Sequence, residues 1–268
     1  MKHLKMYCVT NKIVNFIDNT NYNIGWVGQE EPPKNYISCN SKDNIFFKEK
    51  YYSELTFQYW YWKNILDLQQ DSWIGFCQKR RFWINKKSMD SKIEGNFFSD
   101  QVLQSAPDEW SGFDSVICDP IYVNKVKKMK MIKRGFKSII KKPSIFFNEK
   151  KQSLTFHFDM HHGYGNLNKA INLINEDDRE DFLDYCDESI SYNPHIMFIA
   201  KPNIVNRWFE ALFPWLLRCE KEFGFKNLQG YDTQRLYAYL AERYLSFWFN
   251  KYSKTITWPW KFFDTSRK

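Results

Sequence analysis

Five residues, Trp73-Ile74-Gly75-Phe76-Cys77, run without a polar side chain and stop at Gln78-Lys79-Arg80-Arg81. A run this short, opened by the turn signal Asp71-Ser72, reads as a buried strand. The pattern recurs: residues 5–10 (KMYCVT), 113–118 (FDSVIC), 153–158 (SLTFHF) and 195–200 (HIMFIA) read as further strands. Helical stripes lie between them. Over residues 53–66, Leu55, Tyr59, Trp62 and Leu66 fall at i, i+4, i+7 and i+11, with Ser53 as N-cap and Glu54 in the first turn. The spacing predicts two helical pieces over 166–187. It predicts a helix capped by Asn203 and running to Phe223, with Trp208, Leu212, Trp215 and Cys219 on one face, a kink at Pro214 and a stop at Gly224. A last helix over 232–250 carries the stripe Leu236, Leu240, Arg243 and Phe247. The tail TWPWKFFDTSRK reads as loop. Strands alternating with helices define an α/β fold with a helical C-terminal part, in one domain over residues 1–268.

Composition narrows the class. Apolar residues at 43% and charged residues at 26% exclude a disordered chain. No apolar run approaches the ~20 residues that cross a bilayer, and the first ten residues lack the apolar stretch of a secretory signal. The six cysteines (8, 39, 77, 118, 186 and 219) form no C-x-x-C pair. That argues against a zinc site or a disulfide framework, and for a reducing cytoplasm. The net charge of +8 is concentrated. Residues 121–142 hold nine Lys or Arg and no acid; outside them 30 cations face 31 acids. Ile132, Phe136, Ile139 and Ile140 share one helix face in that segment, so residues 125–142 read as an amphipathic helix for an anionic membrane surface. No base-reading motif accompanies the charge, so nucleic acid is not expected as a partner.

The chemistry-bearing residues fall in three groups. Lys79, Arg80 and Arg81 leave a buried strand, where open α/β sheets hold phosphates. Asp159, His161 and His162 precede Gly163 on an expected exposed loop, and Asp159 is the candidate general base. With His157 this cluster also raises a metal site, but the spacing matches no zinc signature and none is assigned. Arg243 sits in an apolar stripe and needs a buried acceptor. Glu242, the second candidate base, points about 100° away from it around the helix, so its partner is expected elsewhere. Arg235, Tyr239 and Glu242 line the adjacent face.

Three segments in order, Ser53–Asn64 (SELTFQYWYWKN), Trp73–Phe82 (WIGFCQKRRF) and Leu240–Phe249 (LAERYLSFWF), with a weaker match at Met197–Lys201 (MFIAK), resemble one family. It is that of the bacterial capsule and exopolysaccharide glycosyltransferases long catalogued as a domain of unknown function. Some of its members are assigned as β-galactofuranosyltransferases using UDP-galactofuranose. The resemblance covers about residues 5–250. It implies a GT-A-like, Rossmann-related sheet flanked by helices, and transfer of a sugar from a UDP-sugar to a surface-polysaccharide or lipid-linked acceptor, with inversion. In that reading Glu54, Lys79, Arg80 and Arg81 bind the donor, Asp159 or Glu242 is the base, and His161, His162, Arg235 and Arg243 line the acceptor side. The enzyme would be cytoplasmic, at the inner face of the cell membrane. No D-x-D motif occurs, which leans against the manganese or magnesium ion that GT-A enzymes commonly use, without closing that alternative. Two departures stand out: Gln78-Lys79 replace the family's His-Tyr, and Ile196 replaces an Asn. The Gln78-Lys79 replacement keeps alive a non-catalytic alternative, a sugar-binding or scaffold protein of a glycan assembly cluster.

Overall fold

The computed structural model describes residues 3–92 and 98–263. Residues 1–2 of the N-terminal segment and 264–268 of the expected tail loop lie outside the described residues. The chain comprises two compact units. The first holds residues 1–119, 195–210 and 249–268, and the second 120–194 and 211–248.

A nine-stranded, mostly parallel sheet flanked by helices builds the first unit. Its strands are β1 (Leu4–Thr10), β2 (Asn23–Trp26), β3 (Ile37–Ser38), β4 (Trp73–Gln78), β5 (Arg81–Trp83) and β6 (Ser115–Cys118). In chain order, β7 (Ile121–Tyr122) and β8 (Ser191–Tyr192) follow as an antiparallel pair of the second unit. The sheet is completed by β9 (Phe198–Ala200), β10 (Thr255–Trp258) and β11 (Trp260–Phe262). The strand order is β10-β6-β9-β4-β1-β2-β3, with β5 beside β4 and β11 beside β5. β1 runs parallel to β2 and β4, and β10 to β6; β9 runs antiparallel between β4 and β6. The α/β expectation therefore holds. The tail expected as loop instead completes β10 and forms β11. Thr255, Ile256 and Thr257 are consecutive β-branched residues leading into a buried Trp258, whose indole N–H donates to the Ile84 carbonyl at 2.9 Å.

One face of the sheet is covered by the aromatic helix Leu55–Asn64. Its Tyr61 ring lies 4.8 Å from Tyr7 and 5.4 Å from Phe76, and Phe57 lies 5.9 Å from Tyr7. Leu55, Phe57, Trp60 and Tyr61 are buried, whereas Tyr59, Trp62 and Leu66 of the expected stripe are half-buried. Tyr59 and Trp62 keep a polar handle at the rim. Trp62 Nε1 donates to Asn206 Oδ1 at 2.9 Å, and the Tyr59 hydroxyl to Asp43 Oδ1 at 3.1 Å. Ser53 is not the N-cap. Glu54 occupies that position, and Ser53 stands before it at φ 53° and ψ −132°. The helix expected from Asn203 begins at Pro202, whose missing N–H costs nothing in a first turn.

Close approach of the helix depends on Gly25 of β2. A Cβ there would meet the Phe57 ring at 2.6–2.7 Å. Gly25→Ala therefore lowers stability by about 1–3 kcal/mol through overpacking. Urea denaturation checks this, and Phe57→Leu in the same chain restores part of the loss.

The second unit is largely helical. Its basic helix Lys128–Lys141 packs through Met131 and Gly135 on Phe156 and Met160 of the histidine helix Leu154–His162. The second corrects the strand expected over 153–158 and the exposed loop expected after it. Ser153 caps the helix by accepting from the Phe156 N–H at 3.4 Å. The expected 232–250 helix is interrupted at Arg235, giving Tyr231–Gln234 and Leu236–Tyr252. Among the described residues no helix is long and apolar enough to cross a membrane.

Candidate functional site

Within the first unit, parallel pairing sends the carboxyl ends of β1, β2 and β4 to one edge, at Thr10, Trp26 and Gln78. β6 is antiparallel to β9, and β9 to β4, so β6 ends at the same edge with Asp119 beyond it, and His195-Ile196 enter β9 from there. The aromatic helix points its N-terminus the same way. Gln58 Nε2 donates to the Ile196 carbonyl at 2.9 Å, and Glu54 lies one turn, about 6 Å, further along the axis. This is the edge where open α/β sheets bind ligands.

The structure thus brings Glu54, Lys79, Arg80 and Arg81 to one edge. Lys79 and Arg80 form the tight turn between β4 and β5, and Arg81 opens β5. The ammonium of Lys79 donates to Asn11 Oδ1, tying the turn after β4 to the turn after β1. Arg81 Nη1 donates to Gln78 Oε1 at 3.2 Å. Arg80 is exposed, and both guanidinium groups lie 5.8 Å from the Phe262 ring centroid. The Ser53 hydroxyl donates to Glu54 Oε2 at 2.5 Å. Three cations on one hairpin can hold a polyanion, and an oriented carboxylate can hold hydroxyls.

Two non-glycine residues with positive φ mark the same edge, Ser53 (53°) and His195 (67°). Such conformations cost about 1–3 kcal/mol each and gather at functional sites. The His195 ring meets Trp260 edge-on at 4.4 Å. Burial first, and the Arg81 charge second, hold its pKa well below the ordinary 6.5, so the ring is neutral at pH 7. Asp119 is pinned by its backbone: its N–H donates to the Trp258 carbonyl at 3.0 Å, and its carbonyl accepts from Trp260 Nε1 at 3.2 Å. Asn11, Asp119 and His195 are absent from the sequence candidates. The strand stop at Asp119-Pro120 could have flagged the second; no local pattern signals the others.

The remaining candidates lie in the second unit, where the helix separates residues that a loop would have grouped. Asp159 is turned about 160° from His157 and His161 at 100° per residue. Its Oδ1 accepts from the Gly165 N–H and its Oδ2 from the Ser138 hydroxyl, both at 2.9 Å. Burial raises its pKa above the ordinary 3.8 against the pull of those two donors. It lines an open cavity of about 370 Å³ with Lys141, Lys142, Thr155 and Tyr164. The histidines face elsewhere. Arg243 Nη2 donates to His157 Nδ1 at 3.2 Å, and Arg134 Nη1 donates to His161 Nδ1 at 3.2 Å. Guanidinium groups only donate, so those lone pairs are occupied. His162 bonds the Asp232 carbonyl through Nδ1 at 2.8 Å and stacks on Tyr239 at 3.7 Å. Among the described residues no group of three or more His, Cys, Asp or Glu is placed to hold a metal ion.

Arg243 is buried, and its partner is Glu242 after all, Nη1 to Oε2 at 2.9 Å. Its guanidinium lies 3.8 Å from the Tyr192 ring centroid, and the long side chain still reaches its neighbour despite the 100° between their Cβ directions. Arg235 is half-buried at the break before the last helix.

Burial, followed by cationic neighbours, pushes His157 down to about 2, His161 to about 4 and His162 to about 3, from an ordinary 6.5. A base whose folded pKa is depressed stays neutral in the fold while the unfolded chain takes up protons. Its contribution is whole above pH 6.5 and is lost as pH falls toward the folded values. Melting temperature should therefore fall steadily from about pH 7 to pH 5. A His157→Gln, His162→Gln variant should show a shallower fall.

The fold and its edge define an α/β protein with a mostly parallel sheet flanked by helices and a cationic hairpin at the carboxyl edge of that sheet. The chain belongs to the family described as Domain of unknown function (DUF4422), whose model matches residues 5–254. No curated protein matches. Among solved structures the chain is similar to one titled "WbbM bifunctional glycosytransferase apo structure", with a TM-score of 0.74 and 17% sequence identity. The match covers 98% of this chain and 45% of that one, so the chain spans less than half its length. At this identity the likeness is one of fold.

Proposed function

We propose that the chain is a glycosyltransferase that takes a sugar from a UDP-sugar, with the donor diphosphate held by Lys79, Arg80 and Arg81. The observation that carries this reading is the position of those cations, on the hairpin leaving β4 at the carboxyl edge. The fold shared with a structure titled a glycosyltransferase supports it. Negative charge builds on the departing diphosphate as the glycosidic bond breaks, and paired guanidinium groups match phosphate oxygens in geometry and charge. Glu54, oriented by Ser53, binds donor hydroxyls. The acceptor is a surface-polysaccharide or lipid-linked glycan, and transfer is a single displacement with inversion. In such a displacement a carboxylate takes the acceptor hydroxyl proton.

Asp159 is the second unit's best candidate for that base, since burial raises its pKa and leaves a stronger proton acceptor than an ordinary carboxylate. Glu242 is the weaker one, being bound to Arg243. A pH–rate profile unaltered by Asp159→Asn removes Asp159 from the role. The GT-A assignment and galactofuranose as the sugar rest on the sequence resemblance. The alternative of a sugar-binding scaffold draws on Gln78, which serves here as acceptor for Arg81. Incubation of the purified protein with a panel of UDP-sugars separates the two. An enzyme releases UDP from its donor by transfer or slow hydrolysis; a scaffold releases none from any.

A further inference from the structure

The basic helix Lys128–Lys141 buries one face and leaves a second apolar face bare. Met131, Gly135 and Ser138 are buried, and a Cβ at Gly135 would meet Phe156 at 2.7 Å, so this side is pressed on the histidine helix. Met129, Ile132, Phe136 and Ile140 are between 50% and 79% exposed. At about 100° per residue these four fall within an arc of about 80°, well away from the buried side. Lys133 and Lys137 border the arc on one flank and Lys128 on the other, and the helix contains no acid. Phe147 of the following short helix Ser144–Phe147 is also exposed, at 82%. Arg134 pairs with Asp232 at 3.0 Å.

We propose that this face docks on an anionic lipid bilayer surface, the helix lying in the plane with its four apolar side chains at the acyl boundary and its lysines among the headgroups. Charge complementarity selects this occupant. A second copy of the chain would bring two sets of lysines together with no acid on the face to offset them. A negatively charged headgroup layer supplies the counter-charge and the apolar layer beneath it. The proposal holds whether or not the chain transfers a sugar.

Co-sedimentation with phosphatidylcholine vesicles, with and without phosphatidylglycerol, tests it. The protein should pellet with the phosphatidylglycerol vesicles and remain in solution with phosphatidylcholine alone. Lys133→Gln and Lys137→Gln should each weaken binding about fivefold, and added salt should do the same. Ile132→Asn, Phe136→Asn and Ile140→Asn together should abolish pelleting with an unchanged circular dichroism spectrum, since these side chains face solvent. Failure of the native chain to pellet with the anionic vesicles, or undiminished pelleting of the triple variant, would overturn the proposal. So would a dimer in analytical ultracentrifugation that the triple variant dissolves while neither form binds vesicles; the face would then belong to a second copy.

Discussion

The variant carrying Arg80→Ala and Arg81→Ala loses sugar transfer by a factor of about a hundred or more in kcat/KM while melting within a few degrees of the native chain. A hydrogen bond to a charged group contributes about 1.5–3 kcal/mol, and in the proposed reaction the two guanidinium groups face charge that grows as the bond breaks, so the loss falls on kcat as well as KM. Stability changes little because Arg80 is exposed and Arg81 gives up one bond to Gln78 Oε1 and a ring contact with Phe262. Lysine at both positions restores part of the rate, since it returns charge without the planar fork. An unchanged kcat/KM in the double alanine variant removes the hairpin from the donor site.

Arg243→Ala has the largest expected effect on folding, about 3–5 kcal/mol. The guanidinium is buried, stacks on Tyr192, and donates to Glu242 and His157. Removing it takes the counter-charge from the Glu242 carboxylate, whose side chain is 14% exposed, and opens an apolar void. Arg243→Met fills the void and costs less, and Arg243→Met with Glu242→Gln less still, because no uncompensated charge then remains. The midpoint of urea denaturation for the three variants gives the order. If the alanine variant is as stable as the native chain, the ion pair is not what holds the last helix.

The sequence carries the parallel strands well and the cross-helix network poorly, for physical reasons. β1, β4 and β6 are legible because each is a short apolar run bounded by a turn or by charge. The same logic misleads at SLTFHF. Leu154, Phe156 and Phe158 alternate as in a strand, but the helix is buried on two sides: Leu154, Phe158 and His162 form one stripe, and Phe156 and Met160 another. Two stripes four residues apart, offset by two, mimic a period of two. A loop there would place Asp159 beside the histidines, where the helix turns it about 160° away. The cationic hairpin was visible as four polar residues after a buried run. Its companions were not: Asn11 and Asp119 reach the edge only through strand pairing, and His195 through a left-handed backbone that no sequence pattern announces. Helix geometry hides the Arg243–Glu242 pair, because it fixes Cβ directions and not the reach of a long side chain.

The central claim is that the carboxyl edge of the first unit binds a nucleotide-sugar through its hairpin cations. Isothermal titration of the native and R80A/R81A chains with UDP and UDP-sugars tests it most directly. The native chain should bind UDP and at least one UDP-sugar saturably and one-to-one, with affinity weakened at least about tenfold in the variant. Binding of equal strength to both chains, or none to the native chain at millimolar nucleotide, would contradict it.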